Sequence, residues 1–192
     1  KQLNYCNMMG MDVNKKNTIP VTLPIREVVK ETSLIRTFKF DYPLGAKPGQ
    51  FVMLWIPGHD QKPMSVAYDD GKEFWLTVQK VGLSTKALFE FKKGDFVGIS
   101  GPFGTHFSIG EKEHVAVVGG GCGCIPIYFA TLEALKKGCK VDYIVAARSK
   151  EKLLFIDRLK KMKNVNLHVA EIGKRGQDIE ILKKVVLKNK ID

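Results

Sequence analysis

The chain has 192 residues, 44% of them hydrophobic and 27% charged, with a formal net charge of +11. This is the composition of an ordinary globular protein with enough residues for one large core or two small ones, and it excludes a disordered or fibrous chain. No apolar run approaches the ~18 residues that a membrane-spanning helix needs.

Residues 1 to about 19 have no clear periodicity and read as an N-terminal tail or covering arm. They lack the apolar core of a secretory signal and the Arg/Ser-rich amphipathicity of a transit peptide, so a cytoplasmic location is expected. The positive charge is mostly Lys scattered among Glu and Asp, as in SKEKLLFIDRLKKMKN (149–164), without the interleaved aromatics of a single-strand binder. A solvated lysine face is the expected reading, and neither nucleic acid nor membrane is the expected partner. Four cysteines, Cys6, Cys122, Cys124 and Cys139, are too few for the disulfide framework of a secreted mini-protein.

Residues 20–108 carry six short β-like runs separated by turn residues: VTLPIREVV, SLIRTFKFD, GQFVMLWIP, MSVAYD, EFWLTVQKV and DFVGIS. So many short strands in about ninety residues predict a small antiparallel barrel or sandwich. Between the last two, STKALFEFKKGD predicts a helical turn or two ended by Gly94. A joint near Ser108 to Lys112 leads to residues 113–192, where strand and helix alternate. The strands are HVAVV, VDYIVAA and VNLHVA; the helices run from about Ile125 to Lys137, Lys150 to Met162 and Asp178 to Lys188. Alternation of this kind predicts a parallel, doubly wound nucleotide-binding sheet. That sheet looks truncated, because the strands on the far side of its first strand are missing from the pattern. A fragment, an unusual strand order or a covering polypeptide would each account for it.

Three stretches can carry chemistry. In GGGCGCIP, Gly119, Gly120, Gly121 and Gly123 let the backbone approach a pyrophosphate at the start of a helix, where free N–H groups and the dipole favour an anion. The spacing is not the usual G-x-G-x-x-G, and a bare tight turn is the alternative. Cys122 and Cys124 form a C-x-C pair without the further ligands of a zinc or iron–sulfur centre, and His59, His106, His114 and His168 show no ligand spacing, so no metal site is assigned. In the barrel half, KPMS (Lys62, Pro63, Met64, Ser65) and VGLST (with Gly82, Ser84 and Thr85) offer a cation, hydroxyls and backbone N–H groups to an anionic ring cofactor.

The ordered set PGQFV (48–52), KPMS, VGLST, GPFG (101–104), GGGCGCIP and AARS (146–149) resembles the ferredoxin–NADP reductase superfamily. Within it, the set is most similar to the archaeal-like electron-transfer subunits of type B dihydroorotate dehydrogenase. The resemblance implies a barrel that binds FAD, with Lys62 at the pyrophosphate in place of the usual arginine, Ser65 near the isoalloxazine, Thr77, Val78 and Gln79 lining the flavin, and Gly82, Ser84 and Thr85 at its phosphates. It implies NAD or NADP on the α/β half, with Arg148 at the end of its second strand. It also implies an FMN-containing catalytic partner that oxidises dihydroorotate in pyrimidine biosynthesis, and no acid–base residue on this chain. Family members carry a cysteine-rich segment for a 2Fe–2S cluster, which these 192 residues do not contain. The alternatives are a related flavin reductase subunit of a hydrogenase, sulfide dehydrogenase or transhydrogenase, and a non-catalytic flavin-bearing assembly module.

Overall fold

The computed structural model describes residues 17–149, 152–170 and 176–189. The first sheet contains β1 (Asn17–Pro24), β2 (Glu27–Lys30), β3 (Ile35–Phe40), β4 (Phe51–Trp55), β5 (Gln61–Asp69), β6 (Phe74–Gln79) and β7 (Phe96–Phe103), in the order β1-β7-β4-β5-β6-β3-β2. Every pairing is antiparallel. The sheet curls as a half-barrel around one core, because alternate residues such as Phe38 and Phe40, Val52 and Leu54, or Phe74, Leu76 and Val78 turn to the same side and are buried together. A single helical turn and a half, α1 (Leu83–Leu88), follows β6.

The strand reading needs two corrections. The first run is two strands: the Ile25 N–H donates to Asp95 O at 2.8 Å and its carbonyl accepts from Gly94 N–H at 2.8 Å, so a loop takes up the backbone groups that a ladder would use. Residues 17–19, read as tail, already belong to β1; residues 1–16, including Cys6, lie outside the described residues.

The second sheet has order β10-β9-β8, all parallel: β8 (His114–Gly120), β9 (Lys140–Ala146) and β10 (Val165–Val169). Helix α2 (Cys124–Lys136) covers the face that Val141, Tyr143 and Val145 present. It ends where the sequence indicated, as Gly138 adopts φ +77° and the Cys139 and Gly138 N–H groups donate to Ala134 O and Leu135 O, both at 3.0 Å. Helix α4 (Gln177–Asn189) lies against β8 and β9. The helix expected over 150–162 is not formed: α3 spans only Ile156–Leu159. Phe155 sits at φ +60° immediately before it, a conformation that stops a helix, and its ring stacks on Tyr128 at 4.1 Å between centroids. Tertiary packing therefore overrides the apolar periodicity. Lys150 and Glu151 lie outside the described residues.

The two sheets interlock. Phe129 of α2 belongs to the half-barrel core, while Ile35 and Ala67 of the half-barrel belong to the core of the parallel sheet. Among the described residues no helix is long and apolar enough to cross a membrane.

Candidate functional site

The cleft originates where two strands separate. β5 pairs with β6 only through Val66, Tyr68 and Asp69, whereas the N-terminal half of β5, Gln61 to Ser65, pairs with β4 alone. On the other side, Thr77 and Gln79 of β6 pair with β3. The gap between these ends opens into a cleft of about 570 Å³ lined by Lys62–Ser65, Thr77–Gln79, the loop from Val81 to Thr85, and Cys122 and Ile125 from the parallel-sheet half. Its size is that of an ordinary small-molecule or cofactor site. Pro63 pairs with Met53 of β4 and has no β6 partner, so it stands on the free edge of β5.

The structure thus brings KPMS and VGLST together, with KPMS on a strand rather than in a loop. Individual side chains differ from the simplest expectation. The Thr85 hydroxyl accepts from the N–H groups of Val81 and Gly82 at 2.9 and 3.0 Å and donates to Gly82 O at 3.1 Å, so it builds the loop and is not a free donor. The first-turn N–H groups of Leu83, Ser84 and Thr85 have no acceptor four residues back within the helix. Lys62 reaches Asp60 at 3.2 Å across a solvent-exposed pair. Thr77 is buried, and its hydroxyl meets that of Thr37 at 2.9 Å; Thr37 donates to Glu31 at 2.6 Å, and Glu31 accepts from Arg158 at 2.6 Å. Arg158 comes from α3, so a polar chain runs from the cleft floor to the second half.

The glycine-rich stretch sits at the carboxyl ends of β8 and β9, the usual crevice of a parallel α/β sheet. Its glycines have different tasks. Gly119 is the one buried residue of β8, and a Cβ there would meet Ile127 Cδ1 at 2.6 Å and Cys124 N at 3.0 Å, so this glycine serves close strand–helix packing. Gly121, at φ +54°, and Gly123 face open space within the 3-10 turn that precedes α2. The two thiols diverge. Cys124 is buried and donates to Gly119 O at 3.3 Å, and burial pushes it up to about 11; Cys122 is exposed and donates to Gln79 Oε1 at 2.9 Å. Burial of its sulfur also raises Cys122, so both are thiols at neutral pH. Arg148 is exposed beyond the end of β9; it and the four glycines lie outside the cleft lining.

Sequence reasoning did not find Asp60, Val81, Leu83 and Ile125 in the cleft wall, nor the chain through Thr37, Glu31 and Arg158. Val81, Leu83 and Ile125 lie inside quoted motifs and Asp60 two residues before one, so they were within reach; the chain depends on a contact across 127 positions that no local pattern carries. His114 and His168 both hydrogen-bond the buried Asp142, each at 2.5 Å.

No protein-family model matches the chain. It is 39% identical over 176 residues to the probable dihydroorotate dehydrogenase B (NAD(+)), electron transfer subunit of Methanocaldococcus jannaschii, covering 90% of this chain and 66% of that protein. The protein of the same name from Methanocella arvoryzae is 38% identical over 173 residues, covering 88% and 65%. The chain therefore spans slightly less than two thirds of these relatives' length. Among solved structures, it superposes on an NADH-dependent reduced ferredoxin-NADP oxidoreductase with a TM-score of 0.71 at 28% identity, over 85% of this chain and 62% of that one. Phthalate dioxygenase reductase gives 0.68 at 20% identity over 81% and 53%, a likeness of fold. On these matches the chain belongs to the family of dihydroorotate dehydrogenase B electron-transfer subunits, built on the ferredoxin–NADP reductase fold.

Proposed function

We propose that this chain binds FAD in the cleft between β5 and β6 and serves as a flavin-dependent electron-transfer subunit. Its partners are an FMN-containing catalytic subunit that oxidises dihydroorotate and a nicotinamide dinucleotide, in a cytoplasmic complex. The observation that supports this most is the convergence of Lys62–Ser65, Thr77–Gln79 and Gly82–Thr85 on one cleft.

The residues present fit the group. The cleft offers a β-strand floor for a planar ring, a lysine whose charge suits a pyrophosphate, and the N–H groups at the start of α1 for further phosphate contacts. Lysine meets a phosphate as a point charge without the fork of arginine, so Lys62 supplies attraction more than orientation. Val81 and Leu83 stand exposed at the rim, where their apolar surface screens a bound ligand from water. When bound, FAD supplies the conversion between two-electron hydride transfer and single-electron transfer. The contribution of the chain would be distance and orientation: the glycine turn stands beside the cleft through Cys122, so Gly121 and Gly123 would hold a dinucleotide close to the flavin site. Arg148 is the cation available to that dinucleotide's phosphates; NAD is the nucleotide in the relatives' name. Deprotonation of dihydroorotate belongs to the catalytic partner, and no acid or base is assigned here. A 2Fe–2S cluster is assigned no residues of this chain.

The test is titration of the purified, flavin-stripped protein with FAD, followed by anaerobic addition of dihydroorotate together with the FMN-containing subunit. Saturable quenching of FAD fluorescence at one equivalent, then bleaching of the flavin absorbance only when the partner is present, is the expected result. A protein that leaves FAD fluorescence unchanged would end this reading.

A further inference from the structure

The polar chain beneath the cleft has a direction. Glu31 is paired with the Arg158 guanidinium at 2.6 Å, and a carboxylate so paired can only accept hydrogen bonds. The Thr37 hydroxyl donates to the same oxygen, Oε1, at 2.6 Å. A threonine has one hydroxyl hydrogen, so Thr37 has none left for its other neighbour, the Thr77 hydroxyl at 2.9 Å. The hydrogen between the two threonines is therefore that of Thr77. It points down the chain toward Glu31, and what Thr77 keeps for any other partner is lone pairs. Thr37 lies opposite Thr77 in the β3–β6 register, and both are buried, so bulk water does not compete for this hydrogen. Thr77 shares the outward face of β6 with Gln79, and both residues line the cleft.

We propose that Glu31 is a positioning residue for the cleft: through Thr37 it fixes the Thr77 hydroxyl as an acceptor, so that this part of the wall selects a ligand group carrying an N–H or O–H and disfavours one carrying only lone pairs. Neither Glu31 nor Thr37 lines the cleft, and their role comes entirely from the order of donors and acceptors behind it. This rests on the FAD reading above and deepens it, since FAD has such donors in its ring N–H and its ribityl hydroxyls. The polarity of the wall is set before any ligand enters, and a buried network of this kind keeps it because each hydrogen already has its acceptor.

The experiment is a set of FAD titrations, read by fluorescence quenching, on the whole chain and its variants at a temperature where circular dichroism shows each of them folded. Thr77→Val is expected to weaken FAD about tenfold, the loss of one buried acceptor. Glu31→Ala and Thr37→Val free the Thr77 hydrogen to turn toward the ligand. Each is expected to weaken FAD about fivefold in the parent, but less than about 1.5-fold when added to Thr77→Val, which has no hydroxyl left to orient. A residue that only supported the fold would cost the same in both backgrounds. Glu31→Gln keeps an oxygen that accepts from both Thr37 and Arg158, and its affinity is expected to stay within about twofold of the parent. Equal losses in the two backgrounds, no loss from Thr77→Val or Glu31→Ala in the parent, or a Glu31→Gln variant as weak as Glu31→Ala would overturn this inference while the FAD reading stands. If the parent does not bind FAD at all, both fail.

Discussion

At the scale of single residues the cleft contains an opposition with a definite sign. Lys62 and Asp60 line it together and form an exposed pair at 3.2 Å, an arrangement that contributes little to stability but places a carboxylate next to the cation meant for a phosphate. Lys62→Ala is therefore expected to weaken FAD about tenfold, the loss of one charge-assisted contact. Asp60→Asn should tighten it by about threefold, since it removes a like charge from the phosphate and releases the lysine. Fluorescence titration of both variants checks the pair, and a tighter Lys62→Ala would contradict the assignment of the cation. Asp142 makes a different kind of prediction. Burial raises its pKa, but hydrogen bonds from His168 and His114 more than offset that, and the net shift is downward. A carboxylate with a depressed folded-state pKa contributes stability that is fully present above its unfolded pKa of about 4 and is lost as pH falls through the folded value. Urea melts of the parent should thus lose stability more steeply below about pH 4 than those of Asp142→Asn. Equal slopes would show that the two imidazoles do not hold the charge.

At the scale of elements, β6 explains why the site was half legible. Its inward residues, Phe74, Leu76 and Val78, alternate with Trp75, Thr77 and Gln79, and that period-2 pattern could be read directly from FWLTVQ. Each outward residue proves to hold the second half. Trp75 lies under the Arg158 guanidinium at 5.6 Å, Thr77 reaches Arg158 through Thr37 and Glu31, and Gln79 holds Cys122. That role was not legible, because α3, which supplies Arg158, is shorter than its apolar periodicity predicts and is oriented by Phe155 stacking on Tyr128. The motifs themselves indicated the cleft, while the separation of β5 from β6 that creates it depends on register, which a single sequence does not encode locally. Glu31 is the hinge of the polar chain, accepting from both Thr37 and Arg158. Glu31→Ala leaves a half-buried guanidinium and a buried hydroxyl without that acceptor, and a loss of about 2 kcal/mol in urea melts is expected. A loss below about 0.5 kcal/mol, the range of an ordinary surface substitution, would show that the chain is incidental.

At the scale of the whole molecule, the change of rhythm near residues 108–112 suggested two domains of different class, and the cores of the two sheets exchange side chains. Phe129 is on α2, within the parallel-sheet half, yet its side chain is 2% exposed in the half-barrel core, and Ile35 and Ala67 cross in the opposite direction. Tyr68 of β5 meets Phe129 at 6.4 Å between ring centroids and Trp75 of β6 at 4.5 Å, which extends the shared apolar surface along both strands that frame the cleft. Separating the halves would expose these side chains to water, each worth about 1.5–3 kcal/mol when fully buried, which is a large fraction of the net stability of a domain. A single cooperative transition is therefore expected on heating, with far-UV circular dichroism and tryptophan fluorescence giving the same midpoint, Trp55 reporting from β4 and Trp75 from the contact between the halves. Phe129→Ala should lower that shared midpoint, with a loss of about 3–5 kcal/mol, because it opens a cavity in the barrel core and detaches α2 from it at the same site. The same variant should release FAD more readily, since Cys122 and Ile125 lie at the start of the helix that Phe129 anchors. Two separated transitions in the parent, or a Phe129→Ala variant in which only one probe shifts, would show that the halves unfold independently and that the cleft is not held closed by their shared core.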